Sequence, residues 1–584
     1  LFSNVLYVRN EENSGFIHSC NNGASQATGD YLFFLNNDVV VTEGWVDELA
    51  LTFLNFPNAG LAGSKLMYPD GRLQEAGGII WQDGSAWNYG RLDDPEKPEY
   101  NYLREVDYIS GAAVMIPKAL FNELEGFDTY YKPAYCEDSD LALKIRNKGM
   151  SVLYQPLSVV VHFEGISSGT DVNSGVKSYQ VKNTKKLFNR WRDNLSTHRP
   201  NGIDPYLERD RKSDLRILVV DTSTPEPDKD AGSVTAFFFM QIMAMDGHRV
   251  TFIPADNFVY LGGYTKDLQR IGVECVYAPY CCSVDEYLQE HGKHLDVVFL
   301  YRVSNASKYI DQVRIFCPNA KIVFNTVDLH YLREERQAEI EGSKKLLSQA
   351  KKTKKLELEV INKSDSTIVL SDIERDLLLT EVSGVNIHKI PLILDIPGRS
   401  QGFEDRKGLL FIGGFRHTPN IDAVIYFTSE IWPLIKAKQP DIKFTIIGSH
   451  PPKEVLDLDG NGINIVGFVS DISEYFNNAL ISVAPLRYGA GIKGKIGTSL
   501  SYGVPVVGTT IATEGMGIEN DVHVLIGDNP NEFANKIIEL LKSEAKWNNL
   551  SESGLEFIED NYSISIGRKY LRHFLDELRT DSDG

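Results

Sequence analysis

The stretch Ala484-Pro485-Leu486-Arg487-Tyr488-Gly489-Ala490-Gly491-Ile492-Lys493-Gly494-Lys495-Ile496-Gly497 decides how the larger part of the chain folds. It begins at the end of an apolar run, passes through closely spaced glycines and two lysines, and enters a helix expected over about 494–502 and closed by Gly503. Glycines at such a strand-to-helix turn let the backbone approach a phosphate, and the helix N-terminus favours negative charge. Lys493 and Lys495 lie two apart, so one can reach a diphosphate while the other braces the turn. Loops of this shape also occur without a phosphate; the lysines are what point to an anion.

Working outward, the chain after Leu215 reads as two similar halves. The first has apolar runs at Ile217–Val220, Val297–Tyr301, Lys321–Asn325 and Ser366–Leu370, and a strand beginning at Arg249. The second repeats the pattern at Leu409–Ile412, Lys443–Gly448, Ile463–Val466, Leu480–Ala484 and Val504–Gly508. Strands alternating with amphipathic helices predict two doubly wound α/β domains, 215–395 and 396–565, with a ligand cleft at the carboxyl ends of their strands. A last helix with its tail, 566–584, carries Tyr570, Leu571, Phe574, Leu575 and Leu578 on one face and is expected to pack back across the junction. Arg416 follows a tight strand-end turn, where it can neutralise phosphate. Glu514 follows the next strand, where a carboxylate can take sugar or ribose hydroxyls or simply face solvent.

Residues 1–195 hold a third α/β region, followed by a charged linker at 196–214. Three motifs carry chemistry there. The apolar strand Tyr31–Leu35 ends in Asn36-Asn37-Asp38, where a carboxylate can hold a divalent metal or merely shape a turn. Glu137-Asp138 opens a helix, either as a cap or as a general base for a hydroxyl nucleophile. His162 closes the strand Ser158–Val161 and is a candidate ligand for a metal or phosphate. The basic and aromatic residues Lys185, Lys186, Phe188, Arg190, Trp191 and Arg192 suit either packing on their own domain or contact with an anionic membrane surface.

Composition sets the outer limits. A length of 584 residues suggests about four domains, and 42% hydrophobic residues exclude a disordered chain. A formal charge of −20 argues against a nucleic-acid binder, which needs a basic face. Six cysteines without a CxxC pair point to a reducing compartment, with Cys281-Cys282 read as small buried residues in preference to a redox-active pair. No apolar run reaches the length of a membrane span.

These motifs occur together with Asn13-Ser14-Gly15-Phe16, Asn21-Asn22-Gly23, Tyr108–Ala112 and Gly126-Phe127-Asp128. Residues 5–195 thereby resemble family 2 glycosyltransferases of the GT-A fold, in their rhamnosyltransferase-like branch. The resemblance implies that Asp38 and His162 complete a site for Mg²⁺ or Mn²⁺, with Asp138 as the catalytic base beside Glu137. Asn36 replaces the first acid of the family's DxD motif. The family's opening strands would precede Leu1, so a truncated GT-A domain with weak donor binding is expected.

The glycine–lysine loop, with Trp432-Pro433, Gly448, Gly467-Phe468 and Asp230-Ala231-Gly232-Ser233, makes residues 214–580 resemble family 4 (group 1) glycosyltransferases of the GT-B fold. That resemblance implies a donor diphosphate held by Arg416, Gly489, Gly491, Lys493 and Lys495, and a base near Gly467 and Phe468. Gly232, His330 and Arg333 are expected on the acceptor side of the cleft, with no metal needed. Ala490 and Thr498 stand where many family members carry glutamates.

The expected fold is thus α/β: a truncated GT-A domain followed by a GT-B unit of two Rossmann-like domains. The implied reaction is transfer of sugars from nucleotide-sugar donors to a glycan or lipid-linked glycan. It would invert at the first site and retain at the second, in surface polysaccharide or O-antigen synthesis. The expected setting is the cytoplasm, with the inner face of the cell membrane as a further possibility. The alternative is a catalytic GT-B half joined to a glycan-binding or scaffolding remnant.

Overall fold

The computed structural model describes residues 5–10, 12, 14–163 and 178–580. Asn13 and the motif residues Glu164 to Gly169 lie outside them. The chain divides into two compact units, the first comprising Leu1–Asp214 with Gly247–Arg249 and Thr265–Val276, the second the remainder.

In the first unit the main sheet runs Tyr31–Leu35, Ala113–Pro117, Ala59–Met67, Ser151–His162, Val39–Val41, with two short strands attached at its side. Alternation in Tyr31–Leu35 sends Leu32 and Phe34 inward, and Phe34 packs 5.0 Å from both Phe121 and Phe127. The next residues, Asn36 to Asp38, therefore emerge at the sheet's end. Ala59–Met67 is buried almost throughout because its glycines admit neighbours: a Cβ at Gly63 would lie 2.3 Å from Ile109, and one at Gly60 2.4 Å from Ile145. Such a strand needs small residues, since both of its faces are covered.

The segment 196–214, expected as a linker, packs into this unit. His198 bonds the Ile80 carbonyl, Arg199 pairs with the buried Glu208 at 3.0 Å, and Arg211 pairs with the buried Asp107 at 2.7 Å. The helix before it, Ser178–Leu195, lays Leu187, Phe188, Trp191 and Leu195 against the unit's hydrophobic core. Packing on its own domain thus occupies the aromatic residues that were weighed for a membrane surface.

From Arg216 onward the chain forms two sheets of the doubly wound kind. The first has strands Arg216–Asp221, Arg249–Pro254, Val273–Cys275, Val297–Tyr301, Lys321–Asn325, Ser366–Val369 and Ile387–Lys389, in the order 3-2-1-4-5-6-7. The second has Leu409–Ile412, Phe444–Ile447, Ile463–Gly467, Ile481–Ala484, Val506–Gly508 and Leu525–Ile526, all parallel, in the order 3-2-1-4-5-6. Their continuous Val, Ile, Leu and Phe runs suit strands covered on both faces by helices. The last helix, Ile564–Thr580, crosses back to the first lobe: Arg568 and Arg572 both hold Asp246, and Phe574 packs on Phe299. Cys281 is buried and Cys282 exposed, so the pair is not buried as a whole. Among the described residues no helix is long and apolar enough to cross a membrane.

Candidate functional sites

In the first unit, strand pairing builds the acidic site. Val39 lies opposite His162 in the antiparallel pair Val39–Val41 with Ser151–His162, which brings His162 Nε2 to 3.4 Å from Asp38 Oδ1. Asn36 Nδ2 faces the same nitrogen at 3.5 Å, and Gln74 Oε1 faces His162 Nδ1 at 3.2 Å. With Nδ1–H donating to Gln74, the Nε2 lone pair points toward Asp38, the tautomer a metal ligand requires. One carboxylate oxygen and one imidazole nitrogen at this spacing fit a divalent cation such as Mn²⁺ or Mg²⁺.

The second acidic motif reaches this one through the Gly111-Ala112 loop. Asn36 N–H donates to the Ala112 carbonyl at 2.9 Å, and Gly111 N–H donates to Asp138 Oδ2 at 3.3 Å. Asp138 Oδ1 also accepts from Ser139 N–H at 2.7 Å. Burial raises the pKa of both Asp138 and Glu137 above the usual carboxylate range, and the charge of Asp138 adds to the shift at Glu137. A pocket of about 270 Å³ opens beside them, bounded by Phe16, Cys20, Asn36 and Gly111. Below the motif, Asp140 is 1% exposed and is held by Tyr131, Arg190 and Trp191 at 3.0, 3.0 and 2.8 Å.

One further acid cluster, Asp107, His198 and Glu208, has atoms close enough for a metal. Arg146, Arg199 and Arg211 already neutralise it, and Arg211 Nη2 donates to His198 Nε2 at 2.7 Å. It is an ion-pair lock, not a ligand set.

In the second unit the loops after the first and fourth strands of the second sheet meet where the strand order reverses, the place where ligands enter such sheets. After Leu409–Ile412 the chain turns through Gly413-Gly414 to Arg416, which is exposed and lies 3.0 Å from His450 Nε2. After Ile481–Ala484 it turns through Gly489 at φ 153° and Gly491 at φ 67° into the helix Gly494–Ser501. Gly491 is required twice over, by its left-handed backbone and because a Cβ there would lie 3.0 Å from that of Asp328. A Cβ at Gly494 would sit 2.5 Å from Ala231, which opens the first lobe's helix Ala231–Met245 beside Gly232.

Lys493 is only 8% exposed and bonds the Gly491 carbonyl at 2.5 Å, while Lys495 bonds Asn420 Oδ1 at 2.5 Å and lies over the Phe411 ring. Burial lowers Lys493 to about 8, offset in part by Glu514, and lowers Lys495 to about 7 with help from the neighbouring Lys493 charge. Gly467 and the exposed Phe468 close the third strand, with Lys229 Nζ 6.0 Å from the Phe468 ring.

The first lobe contributes charges to this cleft. Asp328 receives His330 Nε2 at 3.1 Å and also pairs with Arg333; against the effect of burial, these partners hold its carboxyl at about 2. Gly232 fits because a Cβ there would lie 3.3 Å from Arg302. Three cleft residues escaped the sequence reading. Arg336 donates to the Gly489 carbonyl at 2.6 Å and to both oxygens of Glu514 at 2.5 and 2.8 Å. Glu374 is buried, bonds Ser371 Oγ at 3.0 Å and is raised to about 7 by burial. Arg302 pairs with Asp221 at 3.0 Å. A larger hollow of about 490 Å³, bounded by Trp432 and Ile463, lies at the opposite end of the strands from these loops.

This architecture defines a fold class: an α/β unit of the GT-A type followed by two doubly wound sheets of the GT-B type. More particularly, residues 1–120 match the glycosyl transferase family 2 model, and residues 406–543 match the model of glycosyl transferases group 1. Among curated proteins, the O-antigen biosynthesis protein RfbC of Myxococcus xanthus is 32% identical over 156 residues, 25% of this chain and 12% of that protein. An N-acetylglucosaminyl-diphospho-decaprenol L-rhamnosyltransferase of Mycobacterium tuberculosis is 26% identical over 168 residues, 26% of this chain and 52% of that protein. The chain therefore spans from about an eighth to about half the length of these relatives. Among solved structures, sucrose-phosphate synthase from Thermosynechococcus elongatus aligns at a TM-score of 0.47 and 13% identity, over 63% of this chain and all of that one. Anabaena Alr3699/HepE in complex with UDP and glucose aligns at 0.47 and 13%, over 62% and 99%.

Proposed function

We propose that the protein transfers sugars from nucleotide-sugar donors to hydroxyl groups of a growing glycan, in synthesis of a surface polysaccharide of the O-antigen type, and that it does so at two sites. The observation that carries this reading is the meeting of Arg416, Lys493, Lys495 and a helix N-terminus at the point where the second Rossmann-type sheet reverses its strand order. These groups suit the diphosphate of a leaving nucleotide. Phe468 offers an exposed aromatic face for a base, and Gly232, His330 and Arg333 line the acceptor side.

At the first site Asp138 takes the proton of the acceptor hydroxyl as its oxygen attacks the anomeric carbon, and the bond from that carbon to the donor's phosphate oxygen breaks. The departing nucleoside diphosphate carries the negative charge away. Asp38 and His162 would hold the divalent cation, which when bound neutralises that charge. Gly111 and Ser139 N–H groups keep Asp138 oriented while burial makes it a stronger base. At the second site the protein's own cations play the neutralising part.

The test is release of free nucleoside diphosphate from UDP-glucose, GDP-mannose or dTDP-rhamnose in the presence and absence of glycan acceptor. Acceptor-dependent release of one nucleotide is expected. Donor binding with no release on adding any acceptor would reduce the protein to a nucleotide-sugar binder.

A further inference from the structure

Arg336 lies on the first-lobe helix His330–Glu341 yet bonds two groups of the second lobe, the Gly489 carbonyl and the carboxylate of Glu514. Both side chains of the ion pair are 23% exposed, so the pair is reachable from the cleft. Lys493, by contrast, is buried and bonded within its own turn. Arg336 is therefore an accessible cation resting on the glycine-rich loop. Its partner Glu514 stands where hydroxyls of a donor would be gripped, with both oxygens already engaged.

A guanidinium binds a carboxylate and a phosphate with the same two-pronged geometry. A pyrophosphate entering against Gly489 and Gly491 brings more negative charge than the single carboxylate it would displace. Of the other nearby acids, Asp328 is held by His330 and Arg333, while Glu374 bonds Ser371 through one oxygen, leaves its buried Oε1 without a hydrogen-bond partner, and holds no arginine or lysine in an ion pair among the described residues. Glu514 is the one whose partner also touches the loop.

We propose that Arg336 exchanges partners on donor binding, leaving Glu514 for the donor's pyrophosphate, so that the released carboxylate accepts a hydroxyl of the donor's sugar or ribose. This rests on the reading of the cleft as a nucleotide-sugar site. It makes Arg336 a binding residue contributed by the acceptor lobe, and it makes Glu514 a gate that a bare anion has to open without recompense.

The exchange gives Glu514→Gln and Arg336→Ala opposite effects, which a merely structural bridge does not. Calorimetric titration of the full chain with inorganic pyrophosphate is expected to show about three- to tenfold tighter binding in Glu514→Gln. Binding about tenfold weaker is expected in Arg336→Ala, with Arg336→Lys between that variant and wild type. Glu514→Gln should also lose the preference for UDP-glucose over UDP, or for whichever sugar nucleotide of the panel binds. Circular dichroism melts identify any variant that fails to fold, and Arg336→Lys then carries the comparison. Weaker pyrophosphate binding in both Glu514→Gln and Arg336→Ala, or no change in either, overturns the exchange. If wild type binds and Lys493→Ala does not, while the other variants match wild type, only the exchange falls. If wild type binds neither pyrophosphate nor any nucleotide, the reading of the cleft falls with it.

Discussion

On the proposed reading, the two units present opposite charge to the same chemical problem. Around Asp38, Glu137, Asp138 and His162 the first unit concentrates acids and an imidazole, so any diphosphate there needs a borrowed cation. The GT-B cleft supplies Arg416, Arg333, Arg336, Lys493 and Lys495, two of them held in ion pairs with Asp328 and Glu514. Resident cations need partners when no phosphate is bound, and borrowed ones do not. That difference explains why one site is acidic and simple while the other is a mixed network.

The sharpest way to break the comparison is Asp138→Asn. It should lower transfer at the first site by about 10²- to 10⁴-fold, the usual worth of a general base, while pyrophosphate binding in the GT-B cleft stays at the wild-type level. Unchanged turnover would reduce Asp138 to a helix cap. Lys493→Ala should weaken pyrophosphate binding by about 10- to 100-fold, as loss of a charge-assisted contact does. Chelating divalent metals should leave that binding alone and stop the first reaction.

A smaller effect comes from pH, and it runs in opposite directions in the two units. Deprotonation of Lys495 above about 7 and Lys493 above about 8, with ionisation of Glu374 above about 7, makes the GT-B cleft more negative as pH rises. Pyrophosphate affinity should therefore fall as alkali is added. Asp138 has to be ionised to act, and burial shifts its pKa upward, so first-site transfer should rise with pH over its titration. Parallel pH profiles would refute the contrast. The smallest effect is expected from Gly491→Ala, which forces a side chain into left-handed backbone at φ 67° against Asp328 and should cost about 1–2 kcal/mol in thermal unfolding.

Much of this was legible before the coordinates. Ten of the strands after Leu215 follow apolar runs that only a buried parallel sheet explains. The short strands Val273–Cys275, Ile387–Lys389 and Leu525–Ile526 carry too few residues to show a pattern. His162 and Asp38 were separately recognisable as strand-end groups, and the register Val39 to His162 is what joins them. Gln74 was invisible because its role is only to orient His162. Arg336 sits in Arg333-Glu334-Glu335-Arg336-Gln337, a run indistinguishable from a solvated helix face. The segment 196–214 reads as a linker because its buried charges find partners far away in sequence, at Asp107 and Glu99.

Asp140 has a consequence of its own. It stands two residues beyond Asp138 on the same helix and is gripped by Arg190 and Trp191. The helix Ser178–Leu195 is thus a strut beneath the turn of Glu137 and Asp138, and a force on it is passed to that turn through one carboxylate. A protein cut ahead of residue 190 would keep Asp38, Asp138 and His162 yet lose the brace beneath one of them.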